Sequence, residues 1–266
     1  MHRAIVILKR ALNDILDNPV VALQVSVLPL LITTFVGQHF LEQAILALRG
    51  SLFLRGQFVW WLWVLGFVGV FLPILWMAVG WHRFVLLGEK PWPIAPRLHV
   101  GRILSYGWAT IVVAMIAVVL ALVARIAVGA VVGLWQLLTE FDIPPLLGTL
   151  GRLFEILLVT FALMFQSAFL VSAACGRRMS IGDAMEFGDL NTETIFFLTL
   201  ASLALAWGLE QITGLTHAQG LILGGYELVS NWFIALFNVG ILTALAAETW
   251  FDPPLPPEPP APIMPV

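Results

Sequence analysis

Six apolar runs, each long enough to cross a bilayer and almost free of acidic and basic side chains, constrain this chain more than any other feature. A crossing needs about 20 apolar residues at roughly 1.5 Å rise each. The expected spans are 20–38, 58–79, 104–128, 156–174, 194–213 and 228–247. The fourth run begins as early as 146. Gly148, Gly151, Arg152 and Glu155 occupy its first turns, which places them at an interface. The first span holds eleven Leu, Ile, Val or Phe. At about −0.3 to −0.6 kcal/mol each, they favour insertion by roughly 3–7 kcal/mol. That outweighs Gln24, Ser26, Thr33 and Thr34. Pro29 and Pro73 fall mid-span and are expected to kink their helices.

Charge supports the same class. Only 11% of the residues are charged, against about 25% in a soluble domain. So few charges cannot cover a water-soluble globule, whereas a lipid-facing surface needs none. Eleven tryptophans against two tyrosines suit a chain with many bilayer interfaces. A net charge of −3 implies no nucleic-acid partner. Cys175 is the single cysteine, so no intrachain disulfide forms. Residues 1–17 carry Arg3, Lys9, Arg10, Asn13, Asp14 and Asp17. They therefore lack the apolar core of a cleavable signal peptide, and the first span is expected to act as its own insertion signal.

The predicted fold is all-α: a polytopic bundle of about six transmembrane helices in one domain, 1–251, with a tail over 252–266. Orientation follows from the thirteen Lys and Arg. Nine fall on one side, in the N-terminus (Arg3, Lys9, Arg10), the second loop (Arg83, Lys90, Arg97, Arg102) and the fourth loop (Arg177, Arg178). Four fall on the other side, at Arg49, Arg55, Arg125 and Arg152. The excess of basic residues predicts that both termini are cytoplasmic.

Short amphipathic segments precede the span pairs. Ala4, Ile5, Leu8, Ala11, Leu12, Ile15 and Leu16 share one helical face, opposite Arg3, Arg10, Asn13, Asp14 and Asp17. This is the pattern of a helix lying on a membrane surface. Residues 96–104 read similarly. Ser180-Ile181-Gly182-Asp183 is a capping-box start for a helix presenting Ile181, Ala184, Met185 and Gly188 on one face. A surface helix followed by two spans, repeated three times, describes the chain. Gly88 and Gly176, each followed by basic residues, end the second spans of the first two units. The tail is eight prolines in fifteen residues and is expected to be extended or disordered. It is a solvated segment or a docking peptide for a protein partner.

Three stretches carry a resemblance. They are Arg10-Ala11-Leu12 leading into Asn18-Pro19, the Gly88-Glu89-Lys90-Pro91 hinge, and Arg178-Met179-Ser180-Ile181-Gly182-Asp183-Ala184. Together they resemble poorly characterised six-helix proteins of bacterial inner membranes, similar to the membrane domain fused to some glycerophosphodiester phosphodiesterases. The resemblance implies a bacterial cytoplasmic membrane. It implies no catalytic residue, because the hydrolase chemistry of those fusions belongs to a separate soluble domain.

No catalytic or cofactor signature is present. There is no His-Glu-x-x-His, no Gly-x-Ser-x-Gly and no phosphate-cradling glycine loop, and the five histidines lack metal-ligand spacing. Three groups remain as candidates. His82, Arg83 and Lys90, with Glu89 between Trp81 and Trp92, form a candidate headgroup or anion contact. An interfacial anchor is the plainer reading. Arg152 and Glu155, at i and i+3, form a candidate ion pair that Arg125 could join. Gln166, Ser167, Asn231 and Asn238 lie inside spans and either line a polar path or join helices. Three functions stay open: a non-enzymatic scaffold or lipid-organising protein, a small-solute transporter or channel, and a lipid-modifying enzyme. Membrane lipids are the expected partners.

Overall fold

The computed structural model describes residues 1–49, 60–139, 145–215 and 221–248, and among them every regular element is a helix. In chain order they are α1 (His2–Leu16), α2 (Pro19–Leu31), a π-helical stretch (Ile32–Gly37), α3 (Gln38–Arg49), α4 (Trp60–Leu87), α5 (Val100–Thr139), α6 (Pro145–Phe165), α7 (Ser167–Cys175), α8 (Ile181–Leu190), α9 (Thr192–Leu215) and α10 (Leu221–Ala246). Arg55, His217 and the proline-rich tail lie outside the described residues.

Five segments are individually long and apolar enough to cross a membrane: Pro19–Gly37, Trp60–Leu87, Val100–Leu138, Thr192–Ile212 and Gly224–Ala246. Thr149–Phe165 and Ser167–Cys175 make a sixth, bent by 43°. The chain is an all-α polytopic bundle. Large apolar side chains such as Trp60, Phe67, Met115, Val118 and Trp207 face outward. Water would not tolerate so extensive an apolar surface, whereas lipid does.

Two charged belts bound the bundle. The near end holds α1, the link from α4 to α5 and the link from α7 to α9. Arg83, Glu89, Arg102, Arg177, Asp183 and Glu248 belong to it. Measured along each helix from that end at about 1.5 Å per residue, Glu210, Glu227, Glu155 and Arg125 lie roughly 27–37 Å away. The hydrocarbon of a bilayer is about 30 Å thick. Among the described residues, the helical segments between the belts contain no Asp, Glu, Lys or Arg.

Helices do not stop where the membrane does, and here the spans differ from their expected bounds. The first continues through the π-helical stretch into α3 and reaches Arg49. The third is a 40-residue helix, about 60 Å long, which runs past the far belt paired with α6. The fourth is broken at Gln166. The π-helical stretch and α4 cross almost backbone to backbone: a Cβ on Gly37 would sit 2.6 Å from the carbonyl carbon of Gly69. Thr33 Oγ1 beside this crossing donates to Pro29 O at 3.0 Å and reaches Val70 O at 3.5 Å. Small residues permit such approaches, and a hydroxyl can bond across them.

The amphipathic segments correct the three-unit pattern. α1 buries Ala4, Ile7, Ala11 and Ile15 against α10 and α9, with Ala11 seated on Gly240. Its apolar face is therefore covered by protein, while Ile5, Val6 and Leu16 are the ones exposed. α8 starts on the expected capping box, in which Asp183 N donates to Ser180 Oγ at 3.1 Å and Ser180 N to the Asp183 carboxylate at 3.0 Å. It buries Ala184, Phe187 and Gly188, with Gly188 under the Phe165 ring. Ile181 and Met185 are exposed. Before the second pair there is no surface helix. Pro91, Pro93 and Pro96 cannot sustain one, and residues 88–99 form a non-helical strap ahead of α5.

Candidate functional site

Gly88 and Gly176 are the described glycines with left-handed backbone, at φ 66° and 78°. Only glycine adopts that conformation without strain, and it turns the chain sharply off a helix end. At Gly176 the turn closes with Arg177 N donating to Ser172 O at 2.9 Å and Gly176 N to Ala173 O at 3.3 Å. At Gly88 it throws the strap back over α4. Pro96 packs on Gly80, and Trp76 Nε1 donates to Arg97 O at 3.3 Å.

Glu89 is the pin of the strap. One carboxylate oxygen accepts from Arg83 Nε at 2.8 Å and Nη2 at 2.7 Å. The other accepts from His99 Nε2 at 2.5 Å, with Arg97 Nε at 3.9 Å. Burial pushes this carboxyl up, but the hydrogen bonds from His99 and Arg83 outweigh it and hold the group below its ordinary range. Arg83 also donates from Nη1 to Ala174 O at 3.4 Å, and Arg102 lays its guanidinium on Gly176. Two cations thus meet the C-terminal end of α7, where the helix dipole favours them. Arg83 is committed to the fold. Lys90, Arg102 and Arg178 are exposed on this face.

The structure parts His82 from Arg83 and Lys90. His82 is fully buried among α4, α5 and α10, with Nδ1 2.8 Å from Thr243 Oγ1 and Nε2 3.3 Å from the Tyr106 hydroxyl. Thr243 Oγ1 also donates to Val239 O at 2.7 Å, so its remaining role toward His82 is to accept. The chain closes with Tyr106 donating to Nε2 and a neutral Nδ1–H donating to Thr243. It ends on a backbone carbonyl, as structural glue does. Trp81 is likewise buried, while Trp92 is exposed, so only Trp92 of the two stands at the surface.

The other candidates also separate. Glu155 pairs with Arg125 at 2.6 Å rather than with Arg152. Neighbouring residues on one helix can meet, but the arginine across the α5–α6 contact reaches the carboxylate better. Asn238 accepts from Ser202 at 2.5 Å, an interhelical bond of the kind that joins spans. Asn231 is exposed. Gln166 and Ser167 are buried at the α6–α7 break, and Gln166 Oε1 and Ser167 Oγ have no hydrogen-bond partner among the described residues. Residues that the sequence did not flag include Tyr106, Thr243, His99 and Ser202, which become partners only through folding. Trp232 Nε1 joins Ser26 Oγ at 2.6 Å in the same way. Among the described residues no three His, Cys, Asp or Glu side chains are grouped to hold a metal ion.

Fold and site together define a multi-pass helical membrane protein with a pinned strap across one end. No family model, curated protein or solved structure matches the chain.

Proposed function

We propose that this chain is a non-enzymatic protein of a bacterial cytoplasmic membrane, with both termini cytoplasmic, that organises lipids or partner proteins at its near face. The observation that carries this reading is how its polar groups are used. His82, Asn238 and Ser26 spend theirs on neighbouring helices, and Glu89 fixes the strap. Meanwhile Lys90, Arg102 and Arg178 remain exposed on one face, where anionic headgroups are attracted. The motifs around Gly88 and Ser180, which resemble those of bacterial inner-membrane proteins, support the location. Purification in native membrane discs, followed by mass spectrometry of bound proteins and lipids, tests the function. A reproducible partner protein or lipid class is expected, and a reproducible small metabolite would overturn it. Orientation is tested with Lys90→Cys in a Cys175→Ser background. Labelling of sealed cells by an impermeant maleimide would invert the topology.

A second reading, a small-solute transporter, draws on the break at Gln166. Broken helices in membranes expose backbone and polar groups where a substrate site lies, and Gln166 Oε1 and Ser167 Oγ are buried there without a hydrogen-bond partner among the described residues. Loss of solute flux in Gln166→Leu with normal folding would favour this reading over the first.

A further inference from the structure

At the far belt, α5 and α6 meet through Gly151, where a Cβ would lie 2.9 Å from Val128 Cγ1. This close approach leaves a groove on each flank. One has a volume of about 290 Å³ and is wholly apolar, with Val131, Val132, Leu150 and Phe154 in its wall. The other, about 270 Å³, is lined by Ala124, Arg125, Val128, Gly151, Arg152 and Glu155. Charge is thus confined to one flank of a single helix crossing.

The charged cleft has an excess of one cation. Arg125 gives Nη2 to Glu155 at 2.6 Å, which orients its guanidinium and leaves its other donors without a partner among the described residues. Arg152 is exposed and has no ion-pair or hydrogen-bond partner among the described residues. Two guanidiniums from two helices therefore face one concave space, with one carboxylate to balance them. The depth is also defined. Glu155 lies about 30 Å and Arg125 about 37 Å along their helices from the near end, just beyond a hydrocarbon layer of about 30 Å. That is the level of lipid phosphates. Below it, Leu122 and Val118 are turned outward, an apolar surface for acyl chains.

We propose that this cleft binds the phosphate of an anionic glycerophospholipid of the far leaflet, between Arg125 and Arg152. The net single positive charge matches a headgroup of net charge −1, and guanidinium forks suit phosphate oxygens. The site goes beyond the near-face reading and stands or falls without it.

The test is native mass spectrometry of the purified full-length protein, delipidated and then titrated with phosphatidylglycerol, phosphatidylcholine or inorganic phosphate. Wild type is expected to retain phosphatidylglycerol preferentially. Arg152→Gln should weaken retention by about tenfold or more, Arg152→Lys should fall between, and Leu150→Ala on the apolar flank should match wild type. Arg152 has no hydrogen-bond or ion-pair partner among the described residues, so its variants are expected to keep the wild-type melting temperature and report binding alone. Equal retention by wild type and Arg152→Gln overturns the proposal. So does phosphatidylcholine held as tightly as phosphatidylglycerol. Complete displacement of lipid by inorganic phosphate would assign the cleft to a soluble anion instead.

Discussion

Replacing Glu89 by Gln strikes the strap at its pin. The native carboxylate serves Arg83 through one oxygen and His99 through the other. An amide keeps one accepting oxygen, so it can hold either partner but not both, and it cannot neutralise the guanidinium. A hydrogen bond to a charged group contributes about 1.5–3 kcal/mol. Glu89 and Arg83 side chains are 17% and 16% exposed, so water screens the pair only in part. The expected loss is about 2–3 kcal/mol in unfolding free energy. Equilibrium unfolding in mixed micelles measures it, and faster tryptic cleavage after Arg97, the strap's basic residue that no proline follows, reports the loosened strap. The double variant with Arg83→Gln should cost less than the sum of the singles, because the two residues act through one contact. A Glu89→Gln protein within about 0.5 kcal/mol of wild type, or fully additive costs, would refute the pinning role. The pH dependence has a definite sign. The folded carboxyl lies below its ordinary value of 4.5. Its stabilisation is therefore complete above that value and is lost as pH falls through the folded value. Glu89→Gln should remove this loss below pH 4.5.

Gly37→Val, which drives a side chain into the Gly69 backbone, should destabilise by about 2 kcal/mol or more. Gly101→Ala meets nothing within 4 Å and should be neutral or stabilise by up to about 1 kcal/mol. Reversal of that order in thermal melts would show that the π-helical stretch and α4 do not cross there. Asn238→Leu removes the bond from Ser202 and should cost about 0.6–2 kcal/mol without altering solute flux. A flux defect in a folded Asn238→Leu protein would count against the glue role. Nitrogen NMR should find His82 neutral with its proton on Nδ1, and a proton on Nε2 would contradict the order Tyr106, His82, Thr243.

Much of the architecture was legible in the sequence because hydrophobic insertion depends on run length and charge, both local properties. The six apolar runs, the capping box at Ser180 and the glycine stops at Gly88 and Gly176 all reappear as helices and helix ends. Helix bounds were less legible. The apolar count ends near the membrane interface, whereas α5 continues to Thr139 because no residue interrupts its hydrogen bonding. Tertiary structure alone decided the partners. The face of α1 that reads as a membrane-surface helix is covered by α10, since an apolar stripe is indifferent to lipid and to Gly240. His82 stands beside Arg83 in the chain, yet successive helical residues point about 100° apart. One therefore enters the core toward Thr243 while the other meets Glu89. Arg152 and Glu155 had the spacing to pair, but the packing of α5 against α6 gave Glu155 to Arg125. It is that exchange, set by the close approach at Gly151, that leaves Arg152 at the far belt without a polar partner among the described residues.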